Sequence, residues 1–114
     1  MSIVTFYSYK GGVGRSMALA NVAMILSRRG KRVLVVDWDL EAPGLEEYFF
    51  GMHPTATEGR GLLHLLDEHE QNPDYCDYIW KLDPPGEGAT IDLMPSGRDE
   101  PTYYPQRRCC TDRL

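Results

Sequence analysis

The sequence predicts an α/β fold, in which helices cover both faces of a parallel sheet to give three layers. Two strand-like runs, residues 3–7 (IVTFY) and 32–37 (RVLVVD), are separated by about one helix length. Between them, residues 16–29 place apolar side chains at i, i+3, i+4 and i+7, namely Leu19, Val22, Ala23 and Leu26. Strand, helix and strand in this order form a βαβ unit, which favours parallel pairing.

Each predicted element has its own local signal. Residues 3–7 are rich in β-branched and aromatic side chains, which predicts a buried strand. Residues 33–36 are apolar at every position, as expected for a parallel strand that is covered on both faces. Gly30 predicts the end of the helix. Residues 90–94 (TIDLM) predict a third strand, residues 45–50 and 61–69 short helices, and residues 72–88 irregular structure.

Composition limits the classes of protein that need to be considered. The 114 residues carry a net charge of −5 and are 42% hydrophobic, which is typical of one small globular domain with no general attraction to DNA or acidic lipid. No apolar run approaches the ~20 residues of a membrane span. The three cysteines lack the spacing of a zinc site, and the default expectation is a reducing cytoplasm.

A glycine-rich loop stands between the first strand and the first helix. Gly11, Gly12 and Gly14 let successive backbone N–H groups turn towards an anion, and the following helix points its positive dipole end at the same place. Ser16 follows a basic residue, Arg15, where a hydroxyl can ligate Mg²⁺. A tight glycine turn without a ligand is the alternative, but the order of strand, loop, basic residue, serine and helix favours phosphate binding.

Two segments together resemble one family. The loop YKGGVGRS is similar to the deviant Walker A motif, xKGGxGK[ST], of ParA/MinD-type ATPases, and VLVVDWDLEAPGL is similar to their switch segment, a strand that ends in DxD. The resemblance is firm over residues 1–45 and looser over 46–98. It implies a P-loop NTPase fold that binds ATP and Mg²⁺. It also implies an ATP-dependent homodimer whose slow ATP hydrolysis resets the dimer.

The resemblance assigns roles by position. It implies that Lys10 reaches across the dimer to the partner's phosphates, that Arg15 occupies the position of the catalytic P-loop lysine, and that Asp39 orients the attacking water. It implies that Ser16 ligates Mg²⁺ and that Asp37 supports the magnesium water shell. The remaining nucleotide-binding positions that it implies are Gly11, Gly12, Val13, Gly14 and Met17.

Arg15 departs from the family motif, which has lysine at this position. Arginine is longer, planar and bidentate, so it neutralises phosphate charge without reproducing the geometry of lysine. Two functions therefore stay open from the sequence. One is an ATPase that acts as a nucleotide-dependent dimer switch, and the other is a catalytically silent module for nucleotide sensing or protein interaction.

The Walker B strand of the family has no clear counterpart. The run DYIWKLDPPG, residues 77–86, imitates one, but Lys81 interrupts its apolar positions and Asp83 comes early, so we interpret it as a decoy. The chain is therefore expected to resemble an N-terminal half of the family domain over residues 1–98, followed by an irregular tail over 99–114. A truncated, non-functional fragment is the third possibility. With no Walker B strand between them, the first two strands are expected to lack a shared neighbour.

Overall fold

The structure is a computed structural model that describes residues 1–9, 14–49, 52 and 60–97. Its helices and strands are α1 (Arg15–Arg28), β1 (Val33–Val36), α2 (Leu62–Glu68), β2 (Trp80–Leu82) and β3 (Ile91–Met94). Three 3₁₀ turns, Leu45–Phe49, His69–Gln71 and Tyr75–Tyr78, connect them. The α/β class and the positions of α1, β1, α2 and β3 agree with the sequence prediction.

Within the described residues, the sheet has three strands in the order β1-β3-β2. β1 and β3 are parallel, with Val33 opposite Ile91 and Val36 opposite Met94. β2 runs antiparallel to β3, so the sheet is mixed and the expectation of an all-parallel sheet is corrected for this edge strand. The parallel pair of β1 and β3 agrees with the predicted P-loop fold, whereas the antiparallel edge strand β2 was not predicted.

The main core lies on one face of the sheet. There α1 and the Leu45–Phe49 turn cover strand residues that include Val35, Trp80 and Leu93, through Ala20 and Ala23 of α1 and through Phe49. These positions alternate along their strands with residues of the opposite face, as the pleat requires. On that opposite face, Leu62 of α2 packs with Tyr78 and Met94 in a smaller cluster. Helical elements on both faces produce the predicted three layers.

The second face is covered only in part. Leu34 of β1 is 53% exposed, although Val35 beside it is 5% exposed. The prediction that β1 is covered on both faces is therefore wrong at Leu34, because α2 packs over the carboxyl end of the sheet and not over its other end. Apolar composition alone does not show which face of a strand will be covered.

The predicted first strand is also absent. Residues 3–7 lie outside the sheet, and Ile3, Val4 and Tyr7 are 84%, 70% and 79% exposed. A strand forms only when its N–H and C=O groups find a partner, and the edge of β1 opposite β3 carries no further strand among the described residues. The sequence prediction that residues 3–7 lack a neighbour agrees with this finding, whereas the prediction of a buried strand does not.

The segment that was expected to be irregular contains β2. Trp80 and Leu82 are buried and Lys81 is partly exposed, which is the alternation of a strand with one covered face. β2 lies on the far side of β3 from β1, and Asp83 just after it is exposed. This position is unlike that of a Walker B strand next to the P-loop, and it supports the interpretation of residues 77–86 as a decoy.

No helix within the described ranges is long and apolar enough to cross a membrane.

Candidate functional site

The candidate site lies where α1 begins and β1 ends. Gly14 is the N-cap of α1 and has a left-handed backbone, with φ of 77°. A side chain is strained in that conformation, whereas glycine adopts it freely. A Cβ at Gly14 would meet no atom within 4 Å, so the requirement for glycine comes from the backbone angle and not from crowding.

The amino end of α1 has the features of an anion site. The helix is 14 residues long, its first turn contains no acidic residue, and its first residue is Arg15. The free N–H groups of a first helical turn and the helix dipole both favour a negative charge there. Ser16 and Met17 lie in this turn, Ser16 partly buried and Met17 56% exposed.

Two carboxylates follow β1, and the fold uses them differently. The backbone N–H of Asp37 donates to the Met94 carbonyl at 2.9 Å, which continues the parallel ladder beyond β1. The Asp37 side chain is buried and accepts three backbone N–H groups, from Asp39 at 3.0 Å, Gly44 at 3.3 Å and Leu45 at 3.2 Å. Asp37 therefore shapes the loop that presents Asp39, a role that the sequence pattern did not indicate.

Asp39 lies at the surface of the same loop. One of its oxygens accepts the Ala42 N–H at 3.0 Å, and the other accepts a hydrogen bond from the Arg15 guanidinium at 2.9 Å. The ion pair joins residues 24 positions apart, and each side chain is about one third exposed. The fold thus brings the P-loop end of α1 and the DxD segment together, as a site shared by both motifs requires.

The hydrogen bonds of Asp37 bear on how it could hold Mg²⁺. A carboxylate offers about four lone-pair positions, and three of those on Asp37 already accept backbone N–H groups. Asp37 consequently fits support of a magnesium-bound water better than direct ligation. Mg²⁺ commonly keeps several waters and takes only one or two protein ligands, so a set of one hydroxyl, from Ser16, and one water-mediated carboxylate, from Asp37, is chemically compatible with it.

Four of the predicted site residues cannot be placed. Lys10, Gly11, Gly12 and Val13 lie outside the described residues, as do Phe50 of the predicted short helix and the tail from residue 98 onward. Among the described residues, the structure brings together Gly14, Arg15, Asp37 and Asp39. Ser8, which contacts Arg15, was not singled out by the sequence, because a serine before a glycine loop carries no signal of its own.

The α/β fold and the meeting of the two motifs are compatible with a nucleotide-binding domain of the P-loop type. Residues 4–91 match the CobQ/CobB/MinD/ParA nucleotide binding domain, which is more than half of the chain. The chain belongs to this family, and the resemblance to ParA/MinD-type ATPases is confirmed.

Relatives with curated descriptions agree with the assignment. The septum site-determining protein MinD of Helicobacter pylori is 46% identical over 70 residues, 61% of this chain and 24% of that protein. A probable plasmid-partitioning protein ParA of Thermus thermophilus is 38% identical over 65 residues, 57% of this chain and 19% of that protein. An iron-sulfur cluster carrier protein of Pseudomonas fragi is 48% identical over 42 residues, 37% of this chain and 15% of that protein. The chain spans about a quarter or less of the length of these relatives, and no solved structure matches it.

Proposed function

We propose that the chain is the ATP-binding part of a ParA/MinD-type P-loop ATPase that acts as a nucleotide-dependent dimer switch. The observation that supports this most directly is the 2.9 Å ion pair between Arg15 and Asp39, because it joins the two motifs of the family at one place. We propose that this domain occupies residues 1–98 and that residues 99–114 form a separate irregular tail.

Each side chain has a physical task in this proposal. The amino end of α1 and the glycine loop bind phosphate through backbone N–H groups, and Arg15 neutralises its charge. Ser16 would hold Mg²⁺ through its hydroxyl and Asp37 through a bound water, and the ion would supply charge neutralisation at the phosphates. Asp39 orients the attacking water, and Lys10 acts across a homodimer. The cytoplasm, where ATP is abundant, is the proposed location.

The second candidate function is a nucleotide-binding module that does not hydrolyse ATP. It is favoured by Arg15 in place of lysine and by the engagement of Asp39 with Arg15, since both residues are then diverted from catalysis. Phosphate release distinguishes the two functions. The dimer switch predicts in addition that the mass measured by light scattering doubles with ATP–Mg²⁺ and returns to its starting value after hydrolysis.

Ligand-induced stabilisation tests the site itself. ATP–Mg²⁺ at about 100 times Kd is expected to stabilise the protein by about 2.7 kcal/mol and to raise its melting temperature. Gly14→Val is expected to abolish this shift, because valine strains the left-handed N-cap from which the loop enters the helix.

Gly30→Val is the matched control. Gly30 has φ of 75° and ends the same helix, so the substitution imposes similar strain at the opposite end of α1. Both variants are expected to melt at a lower temperature without ligand, and only Gly14→Val should lose the shift with ATP–Mg²⁺. An equal shift in the two variants would contradict the proposed site.

A further inference from the structure

Arg15 is held by two different partners. One terminal nitrogen of its guanidinium donates to the Ser8 hydroxyl at 3.2 Å, and the other donates to the Asp39 carboxylate at 2.9 Å. Ser8 precedes the glycine loop and Asp39 follows β1, so one side chain at the start of α1 ties together three separate segments.

Only arginine can make this pair of contacts in the same way. Its guanidinium carries donors on separate nitrogens in a rigid planar fork, whereas the lysine ammonium is a single point charge on a flexible stem. The departure from the family motif at this position therefore has a local structural counterpart in Ser8 and Asp39.

The same contacts engage the groups that the proposed ATPase needs. A guanidinium that is directed to Ser8 and Asp39 is not free to form a fork with a phosphate. The Asp39 carboxylate is engaged as well, since its other oxygen accepts the Ala42 N–H. Binding of a phosphate by Arg15 consequently has to compete with Asp39.

We propose that Ser8 and Asp39 are positioning residues that hold Arg15 away from phosphate, and that a nucleotide phosphate displaces Asp39 from Arg15. Binding of the nucleotide then releases the carboxylate that is assigned to the attacking water, so that occupancy and readiness for hydrolysis are coupled. This inference rests on the proposed nucleotide site and deepens it.

A double-mutant cycle on nucleotide affinity tests the competition. The Kd of ATP–Mg²⁺ is measured by calorimetry for the wild-type chain, Asp39→Asn, Arg15→Gln and the double variant. Asp39→Asn is expected to bind about two- to fivefold more tightly, which is the range for releasing a partly exposed ion pair. In the Arg15→Gln background the same substitution is expected to give no gain, because the competing contact is already lost.

Two further variants separate positioning from other effects. Asp39→Glu keeps the charge and is expected to keep the wild-type Kd, and Ser8→Ala, which removes the neutral partner, is expected to tighten binding by less than Asp39→Asn. Melting temperatures without ligand show that each variant is folded.

Each other result has a definite meaning. An equal gain from Asp39→Asn in both backgrounds would show simple removal of a negative charge near phosphate and would overturn the inference, as would no gain at all. If no variant binds ATP–Mg²⁺, the proposed function itself fails, and the positioning role falls with it. If the wild-type chain binds and the cycle shows no coupling, only the positioning role is wrong.

Discussion

Residues 3–7 and β1 are alike in sequence and different in structure. Both are short runs of β-branched and large apolar residues, and each precedes a loop with predicted site residues. β1 is paired along its whole length with β3, and Val35 in it is 5% exposed. Residues 3–7 have no strand partner within the described part of the chain, and Ile3 is 84% exposed.

The difference shows that an apolar, β-branched composition is not sufficient for a strand, which forms only where the backbone finds a pairing partner. Burial of an unpaired backbone N–H or C=O group costs about 1–3 kcal/mol, so an apolar run without a neighbour gains little by entering the core. The backbone groups of β1 that face β3 avoid this cost because they are hydrogen-bonded to it. The resemblance implies a Walker B strand between residues 3–7 and β1, and the described residues contain no strand at that place.

The largest expected effect comes from truncating a buried side chain in β3, the strand with which β1 pairs. Leu93 is fully buried at the centre of β3, between Val35 and Trp80 in the register. Leu93→Ala is expected to lower the free energy of unfolding by about 2–5 kcal/mol, through lost burial and a residual cavity. Denaturant titration measures it.

Ile3→Ala is the control in the other region. Like Leu93→Ala, it removes most of a large apolar side chain, but the Ile3 side chain is exposed. Ile3→Ala is therefore expected to change the unfolding free energy by no more than about 0.5 kcal/mol. A loss of several kcal/mol for Ile3→Ala would mean that residues 3–7 are buried in solution and that the two regions do not differ.

Hydrogen exchange compares the two backbones directly. Amide hydrogens of β1 and β3 that bond across the parallel ladder are expected to exchange at least about a hundredfold more slowly than those of residues 3–7, because paired strands exchange only through larger openings. Exchange followed by residue-resolved NMR gives both rates in one sample. Comparable protection in the two segments would contradict the difference between them, and it would indicate that residues 3–7 find a strand partner.

A smaller effect is expected where β3 is locked to α2. The first N–H groups of α2, from Leu62 and Leu63, donate to the carbonyls of Pro95 and Ser96, each at 2.8 Å. A Cβ on Gly61 would lie 2.2 Å from the Pro95 carbonyl oxygen. Gly61→Ala is therefore expected to destabilise the protein by about 1–3 kcal/mol, since the backbone has to shift.

Gly44→Ala provides the comparison for that substitution. A Cβ at Gly44 meets no atom within 4 Å, so alanine there should leave the denaturation midpoint nearly unchanged. Equal midpoints for the Gly61 and Gly44 variants would show that the start of α2 is not packed tightly against the end of β3.

The smallest effect is expected from pH, at a polar cluster formed by Arg60, Glu68 and Tyr78. The Tyr78 hydroxyl donates to Glu68 at 2.5 Å, and Arg60 pairs with Glu68 and lies 5.1 Å from the Tyr78 ring centroid. The hydrogen bond from Tyr78, with the nearby Arg60 charge, lowers the pKa of Glu68 below its ordinary 4.5. The same hydrogen bond raises the pKa of Tyr78 above 10.

The sign of the pH dependence follows from these directions. The stabilisation from Glu68 is present above pH 4.5 and is lost as pH falls through the lowered pKa. That from Tyr78 is present below pH 10 and is lost as pH rises through the raised pKa. Glu68→Gln should flatten the acid side of a plot of unfolding free energy against pH, while the exposed Glu70→Gln should not; identical slopes for the two would rule out this role of the cluster.

Local patterns were sufficient for several elements. The apolar spacing and Gly30 predicted α1, whose end the structure shows as a Schellman motif, with Gly30 N–H donating to Ser27 and Lys31 N–H to Leu26. β1 and β3 were predicted from their apolar runs. The pairing of Arg15 with Asp39 was implied only in the sense that both motifs belong to one site. The roles of all the predicted site residues stay predictions.

Other features had no usable local signal. β2 has only three residues, which is too short for alternation to distinguish it from a loop. The Arg60–Glu68–Tyr78 cluster joins residues up to 18 positions apart, and no spacing rule connects them. Asp37 was predicted to support the water shell of Mg²⁺. Its three hydrogen bonds to backbone N–H groups depend on the folded loop, and the sequence pattern did not indicate them.

The sequence by itself determined the family, the glycine-rich loop before α1 and the acidic residues after β1, because each depends on neighbours within a few positions. The tertiary structure decided which apolar runs became strands, that Leu34 stays exposed while Val35 is buried, and that Arg15 contacts Ser8 and Asp39. These outcomes depend on partners that are distant in sequence, and the free energy of a backbone or charged group is set by the partner it finds.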